Sequence, residues 1–276
     1  MYILDHIKFL NTLTNEINEI LRAHSIEIIT RDDIQINNNI LFLNKKLSNA
    51  INNYIWPPVN TKDVYHFTTH SEKILSDNKF RLYCISKNYT SHEVETFCKT
   101  HKMTSWLKSD AYKDDLANSF IGCFSDTNIC EDDEAKLWRT FAANDGVRLK
   151  FRITAQNEDF RRIKYEKITA QPIQILAQLD AIAHKHNLKL LRQRLTTLAA
   201  FYLPAKDYEY ENEYRVLYRI WPSSTVSVFV SAIDSYIEIP LNDNTPIGFR
   251  LELLECCANT KPQNLPSSCV YSPRVR

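Results

Sequence analysis

A chain of 276 residues with 44% hydrophobic and 24% charged residues has the apolar content for one large packed domain, or for a domain with an appendage. Its formal net charge of +1 gives no overall basic field for nucleic acid, so such a partner would need a local basic groove. Its only three glycines, at 122, 146 and 248, are too far apart for a GxGxxG turn or a P-loop, and any nucleotide must be held some other way.

The elements follow from periodicity. Apolar residues at Ile3, Ile7, Leu10, Leu13, Ile17, Ile20 and Leu21 have helical spacing. A second helical run, Ile40, Leu43, Leu47, Ile51 and Tyr54, stops at Pro57 and Pro58. Residues 1–60 therefore read as a helical N-terminal extension, with "IEIIT" as a candidate short strand between its helices. From residue 61 the period changes. "DVYHFTT" (63–69) alternates and is a strand; a short helix and a strand follow in "HSEKILSDNKFRLYCIS", and "SFIGCFSD" (119–126) is another strand. "EDDEAKLWRTFAANDG" is a helix with an acidic start, Leu137, Trp138 and Phe141 on one face, and Gly146 as its C-terminal cap. "VRLKFRI" (147–153) is a strand. Residues 172–203 read as an amphipathic helical stretch with Ile175, Leu179, Ile182, Leu191, Leu195 and Leu198 in the core. Four strand-like segments complete the chain, "YENEYRVLYR", "VSVFV", "YIEIPL" and "GFRLELLEC", before an irregular tail over 259–276. Helices do not separate the strands regularly enough for a parallel sheet, so the class is α+β on antiparallel strands.

No apolar run reaches bilayer length, which predicts no membrane span. Seven cysteines without a regular framework, and no leader-like start, predict a reducing cytoplasm. Cys84, His92, Cys98 and His101 fit no standard zinc spacing, so no metal is expected; adjacent Cys256 and Cys257 read as small buried hydrophobes.

Polar residues on strands carry the chemistry. Val64, His66 and Thr68 share one strand face, which sets an imidazole beside a hydroxyl. Ser125 ends a strand just before a helix, where it is either a turn residue or a site residue. Trp138 is a core or stacking residue, and Arg139 is either solvated or within reach of a phosphate. Glu211, Glu213 and Arg215 fall on one face at period two, with Tyr214, Val216 and Tyr218 on the other. Two carboxylates near one guanidinium are either a charged outer face or a site for a cationic sugar transition state, with Arg215 able to hold one carboxylate bidentately.

In order, these pieces resemble a known pattern. "VYHFTTHSEKILSDNKFRLYC" is similar to the opening of DarT-type toxins. The wider set resembles a bacterial family of unknown function: Tyr65-His66, Cys123-Phe124-Ser125, Leu137-Trp138-Arg139, Gly146-Val147 with Phe151, Lys206 with Glu211, Glu213 and Arg215, and Ile237 to Leu241. The resemblance implies an ADP-ribosyltransferase-like split antiparallel β-sheet over 61–258, with a helical insertion at about 167–203. It implies NAD as substrate, with Glu213 or Glu211 and His66 as catalytic residues. Tyr65, His66, Thr68, Ser125, Trp138, Arg139, Phe141 and Arg215 would contact NAD, and Phe124, Trp138 or Phe141 would serve as the nicotinamide stack. By the same resemblance the protein is a mono-ADP-ribosyltransferase toxin, similar to the CmdT kind that modify messenger RNA in phage defence. Its acceptor would be RNA, single-stranded DNA or protein, and the extension and insertion would shape acceptor choice or hold an antitoxin or chaperone. Two alternatives are an NAD glycohydrolase with water as acceptor and a non-catalytic binding module that keeps the fold.

Overall fold

The computed structural model describes residues 3–87, 90–101, 110–156, 159–166, 173–191, 195–204, 208–231, 233–243 and 247–259. Lys206, most of the tail and parts of the insertion lie outside them. In chain order the elements are α1 (Ile3–Ala23), β1 (Ile34–Asn37), β2 (Ile40–Leu43), α2 (Lys45–Ile55), β3 (Thr61–Thr68), α3 (Ser71–Asp77), β4 (Lys79–Cys84) and α4 (Thr90–Thr100). There follow α5 (Asp110–Ala117), β5 (Ser119–Asp126), α6 (Glu131–Phe141), β6 (Val147–Ala155), β7 (Phe160–Arg162), β8 (Lys164–Glu166), α7 (Gln174–Lys185) and β9 (Lys189–Leu191). The last are α8 (Leu195–Ala200), β10 (Tyr202–Pro204), β11 (Glu213–Arg219), β12 (Val228–Val230), β13 (Ser235–Pro240) and β14 (Phe249–Ala258).

The class is mixed α+β, organised on a curled antiparallel sheet. β12, β13, β4, β5, β3, β6 and β14 are successive neighbours, and β11 and β7 extend the sheet from β5. β5 is the branch point. One edge pairs with β11 over its length, from Arg219↔Ser119 to Glu213↔Ser125. The other edge is shared: Phe120 and Ile121 pair with β4, and Ser125 and Asp126 pair with β3. Among the described residues, 122–124 have no strand partner on that edge, so β3 and β4 part there. A β-carbon on Gly122 would meet Leu82 Cδ2 at 2.6 Å and Phe80 Cε1 at 3.1 Å, so any larger residue at the branch would have to displace the β4 side chains packed over it. The closed end beyond is tied by Asp126, which takes Lys62 Nζ at 3.0 Å, the Tyr214 hydroxyl at 3.3 Å and the Asn128 N–H at 3.1 Å.

One face of the sheet buries Val64, Phe80, Leu82, Phe120, Phe124, Leu149, Phe151, Val216, Ile237 and Ile239 in a common core. The other face, at Ile121 and Leu217, joins a second core shared with α1, α2, α4, α7 and α8. The N-terminal extension and the insertion thus form one cap layer. Parallel pairing of β2 with β9 joins them, from Ile40↔Lys189 to Phe42↔Leu191. Glu16 accepts from Lys185 and His186 at 2.9 Å each, and His24 bonds both Tyr54 and Gln178.

The structure corrects several expectations. "IEIIT" forms no strand, and Ile40–Leu43 is the second strand of a hairpin, not the start of a helix. Asn38 and Asn39 both have positive φ, 49° and 60°, which is the turn that closes a two-residue hairpin with the twist of its strands. The 172–203 stretch is not continuously helical: left-handed Asn187 follows α7, and β9, α8 and β10 come after it. Helix α6 ends through left-handed Ala143 and Asn144, and Gly146 has a different task. A β-carbon there would collide with the Thr68 carbonyl, so glycine lets β6 close on β3. Cys256 is exposed and Cys257 partly so, since β14 is the outermost strand on its side. Among the described residues no helix is long and apolar enough to cross a membrane.

Candidate active site

Backbone groups that lose a sheet partner need another one. At the branch, His66 of β3 provides it: its Nδ1 lies 3.1 Å from the Cys123 carbonyl oxygen, an oxygen that can only accept, so Nδ1 carries the proton. The ring is wedged between Phe80, edge-on at 5.0 Å, and Phe124, tilted at 5.8 Å. Its Nε2 is then the basic nitrogen of the neutral ring.

Register assembles the rest. Tyr65 opposes Ser125, and Ser125 opposes Glu213, so these three stand in one row across β3, β5 and β11. Glu211 precedes the strand. It closes a 3₁₀ turn (Glu209–Glu211), and left-handed Asn212 carries the chain into β11. The two glutamates therefore reach the same place from a turn and a strand, not from one strand face as period two predicts. Asn212 is pinned through its side chain by Arg162 Nη2 at 2.6 Å, and its carbonyl takes the Asp126 N–H at 2.9 Å. Tyr65, His66, Phe67, Cys123, Phe124, Ser125, Phe141, Glu211 and Glu213 line one small, half-open cleft.

Both glutamates are 2% exposed and Arg215 is 1% exposed, so the outer-face reading of this segment fails. Arg215 grips Glu213 bidentately, Nε to Oε1 and Nη2 to Oε2, both at 3.0 Å. Its Nη1 donates to Glu93 Oε2 at 2.9 Å and to the Ala200 carbonyl at 2.8 Å. Burial works against the guanidinium charge, but the Glu213 and Glu93 carboxylates outweigh it and hold Arg215 well above its ordinary value. The Glu213 N–H donates to the Tyr165 hydroxyl at 2.8 Å. Burial, then the charges of Glu213 and Glu211, push the Tyr165 phenol up and keep it neutral.

Of the ten residues singled out in the sequence, Tyr65, His66, Ser125, Phe141, Glu211 and Glu213 meet at the cleft. Four stand elsewhere. Arg215 lies behind Glu213 with its donors directed at protein acceptors, so it holds a carboxylate and not a ligand. Thr68 is buried and accepts the His70 N–H at 3.0 Å. Trp138 packs edge-on against Phe67 at 5.2 Å and donates to Glu134, which makes it the prop of a cleft wall. Arg139 is exposed, with Nε on the Ala135 carbonyl of its own helix. The aromatic wall is Phe67, Phe124 and Phe141, without Trp138. Sequence reasoning missed Phe67, Tyr165 and Glu93. Glu93 had a signal: with Phe97 and His101 it repeats every fourth residue on the buried stripe of α4, an unusual place for a carboxylate. Comparison with protein-family models, with curated proteins and with solved structures finds no match to this chain.

Proposed function

We propose that the protein is a mono-ADP-ribosyltransferase that cleaves NAD in the cleft at the β5 branch and passes ADP-ribose to a macromolecule. One observation carries the reading. Where β3 and β4 part, an imidazole, a hydroxyl, three phenylalanines and two buried carboxylates converge on one small cleft. The reaction needs little more than these groups. The bond from the nicotinamide nitrogen to the ribose carbon breaks, its electron pair stays on that nitrogen, and the positive charge passes to the ribose. The acceptor then bonds the ribose carbon and loses a proton.

Buried carboxylates are suited to the middle of this sequence, because a fixed negative charge in a site that excludes water favours the developing cation without reorganisation. Glu211 and Glu213 take this role. His66 and Ser125 orient ribose hydroxyls, and Phe67, Phe124 or Phe141 covers the nicotinamide ring. Arg148, stacked over Tyr65 at 4.3 Å, is paired with Glu134 and braces the cleft from behind that ring. A sheet branch needs no glycine-rich phosphate loop, consistent with a chain of three glycines. The sequence resemblance adds a toxin role in the cytoplasm, with nucleic acid as the favoured acceptor and the cap as the surface for acceptor, antitoxin or chaperone.

The test is incubation of the protein with labelled NAD and, in turn, RNA, single-stranded DNA and cell lysate. Label is expected on one acceptor class, reduced about 10²–10³-fold by Glu211→Gln or Glu213→Gln. Free ADP-ribose with no labelled acceptor would make the protein a glycohydrolase. No nicotinamide release under any condition would sink the enzymatic reading.

A further inference from the structure

Arg215 is held from two sides. Glu213 occupies one edge of the guanidinium, and Glu93 of α4 with the Ala200 carbonyl of the insertion occupies Nη1. We propose that Glu93 is a positioning residue of the candidate active site: through Arg215 it fixes the Glu213 carboxylate in place and leaves the carboxylate–guanidinium group behind the cleft with a net negative charge. This rests on the transferase reading of that cleft.

Geometry supports the first part. A guanidinium is planar, with donors in a rigid fork, so anchoring Nη1 at 2.9 and 2.8 Å fixes the plane in which Nε and Nη2 meet Glu213. Without that anchor Arg215 and Glu213 would turn together. Charge supports the second part. A bidentate pair of one guanidinium and one carboxylate is neutral, and a neutral pair gives little to a ribosyl cation. Two carboxylates on one guanidinium leave the group with a net charge of −1. Glu93 is 7% exposed on a helix, where an unpaired carboxylate would be costly, and its partner lies on the strand that carries Glu213. The titratable groups around Glu213 are Arg215 and Cys123 on the sheet, Tyr65 and His66 of β3 in the same cleft, Glu211 on the turn, Tyr165 of β8 and Glu93 of α4.

Glu93→Gln keeps the shape and removes the charge. Nicotinamide release by the variant is expected to fall about tenfold in kcat with KM within about twofold of wild type, and Glu93→Asp is expected to recover part of the loss. A merely structural role would lower the melting temperature and leave kcat unchanged well below it, which would overturn the proposal. A second measurement does not depend on turnover: carbon-13 NMR titration of the Glu213 carboxyl, assigned by its loss in Glu213→Gln. Removing a neighbouring negative charge lowers the midpoint, by about one pH unit for groups sharing a guanidinium. A midpoint unmoved in Glu93→Gln overturns the proposal. A midpoint that moves in a protein without NAD turnover upholds the positioning and refutes the transferase.

Discussion

The two halves of β5 obey the same rules and come out differently. In the first half, Phe120 and Ile121 are paired on both edges and buried on both faces between two apolar cores. In the second half, the same strand loses its partner on one edge over three residues, and a histidine from the next strand fills in for the backbone. Backbone hydrogen-bonding demand does not relax at a branch, so the groups freed where a sheet parts need a side chain or water, and here the partner is His66. That side chain satisfies the backbone, and it also brings a titratable ring into a cleft. The dry half supplies rigidity; the parted half turns a packing problem into a place for chemistry.

Variants along this strand test the contrast. Arg215→Met should have the largest effect, because it leaves the Glu213 and Glu93 carboxylates buried without their guanidinium; about 3–5 kcal/mol of stability is expected to go, read as the urea midpoint. Ile121→Ala empties a position 3% exposed in the dry half and should cost about 2–5 kcal/mol. NAD turnover per folded molecule should be unchanged in that variant, and a loss would mean that the halves are not separable. His66→Ala should cost less, about 1–3 kcal/mol for the orphaned Cys123 carbonyl, yet take turnover down with it. If stability falls and turnover does not, the ring is only a plug. The smallest effect concerns the closed end. Burial pushes the Asp126 carboxyl up, but the Asn128 N–H and Lys62 outweigh it and hold it below the ordinary carboxylate range. A depressed carboxyl contributes stability above its unfolded value, near 4, and loses it as pH falls through the depressed one. Asp126→Asn should therefore be less stable than wild type at neutral pH, and the gap should close in acid.

The sheet was legible because its strands announce themselves. "SFIGCFSD" is bounded in the structure as it reads in the sequence, and the segments at 63–69, 147–153 and 236–241 are all strands. The cap was not. Ile40, Leu43, Leu47 and Ile51 satisfy a helical period by chance across a strand and a helix, and the informative signal was the three asparagines before them. The β2–β9 pairing is parallel and remote, and no local pattern encodes it. At the site, a residue type at a strand position found His66, Ser125 and Glu213. The direction in which Arg215 points, and its second carboxylate, depend on a helix some 122 residues earlier.

The cap also sets a timetable. β2 is made early and its parallel partner β9 late, so the first strand of that pair must wait. At about 5–20 residues per second, the roughly 150 residues between them take about 8–30 s to synthesise, during which α1, the hairpin and α2 carry an apolar face that α7 and β9 do not yet cover. Arg215 follows α8 in the chain, so the Ala200 carbonyl is already made when the guanidinium behind Glu213 arrives to meet it. A nascent chain of this design completes its cap before the last four strands of its sheet, and a ribosome-bound intermediate ending before residue 195 should be sticky at the cap and inert at the cleft, because Glu211 and Glu213 are still to come.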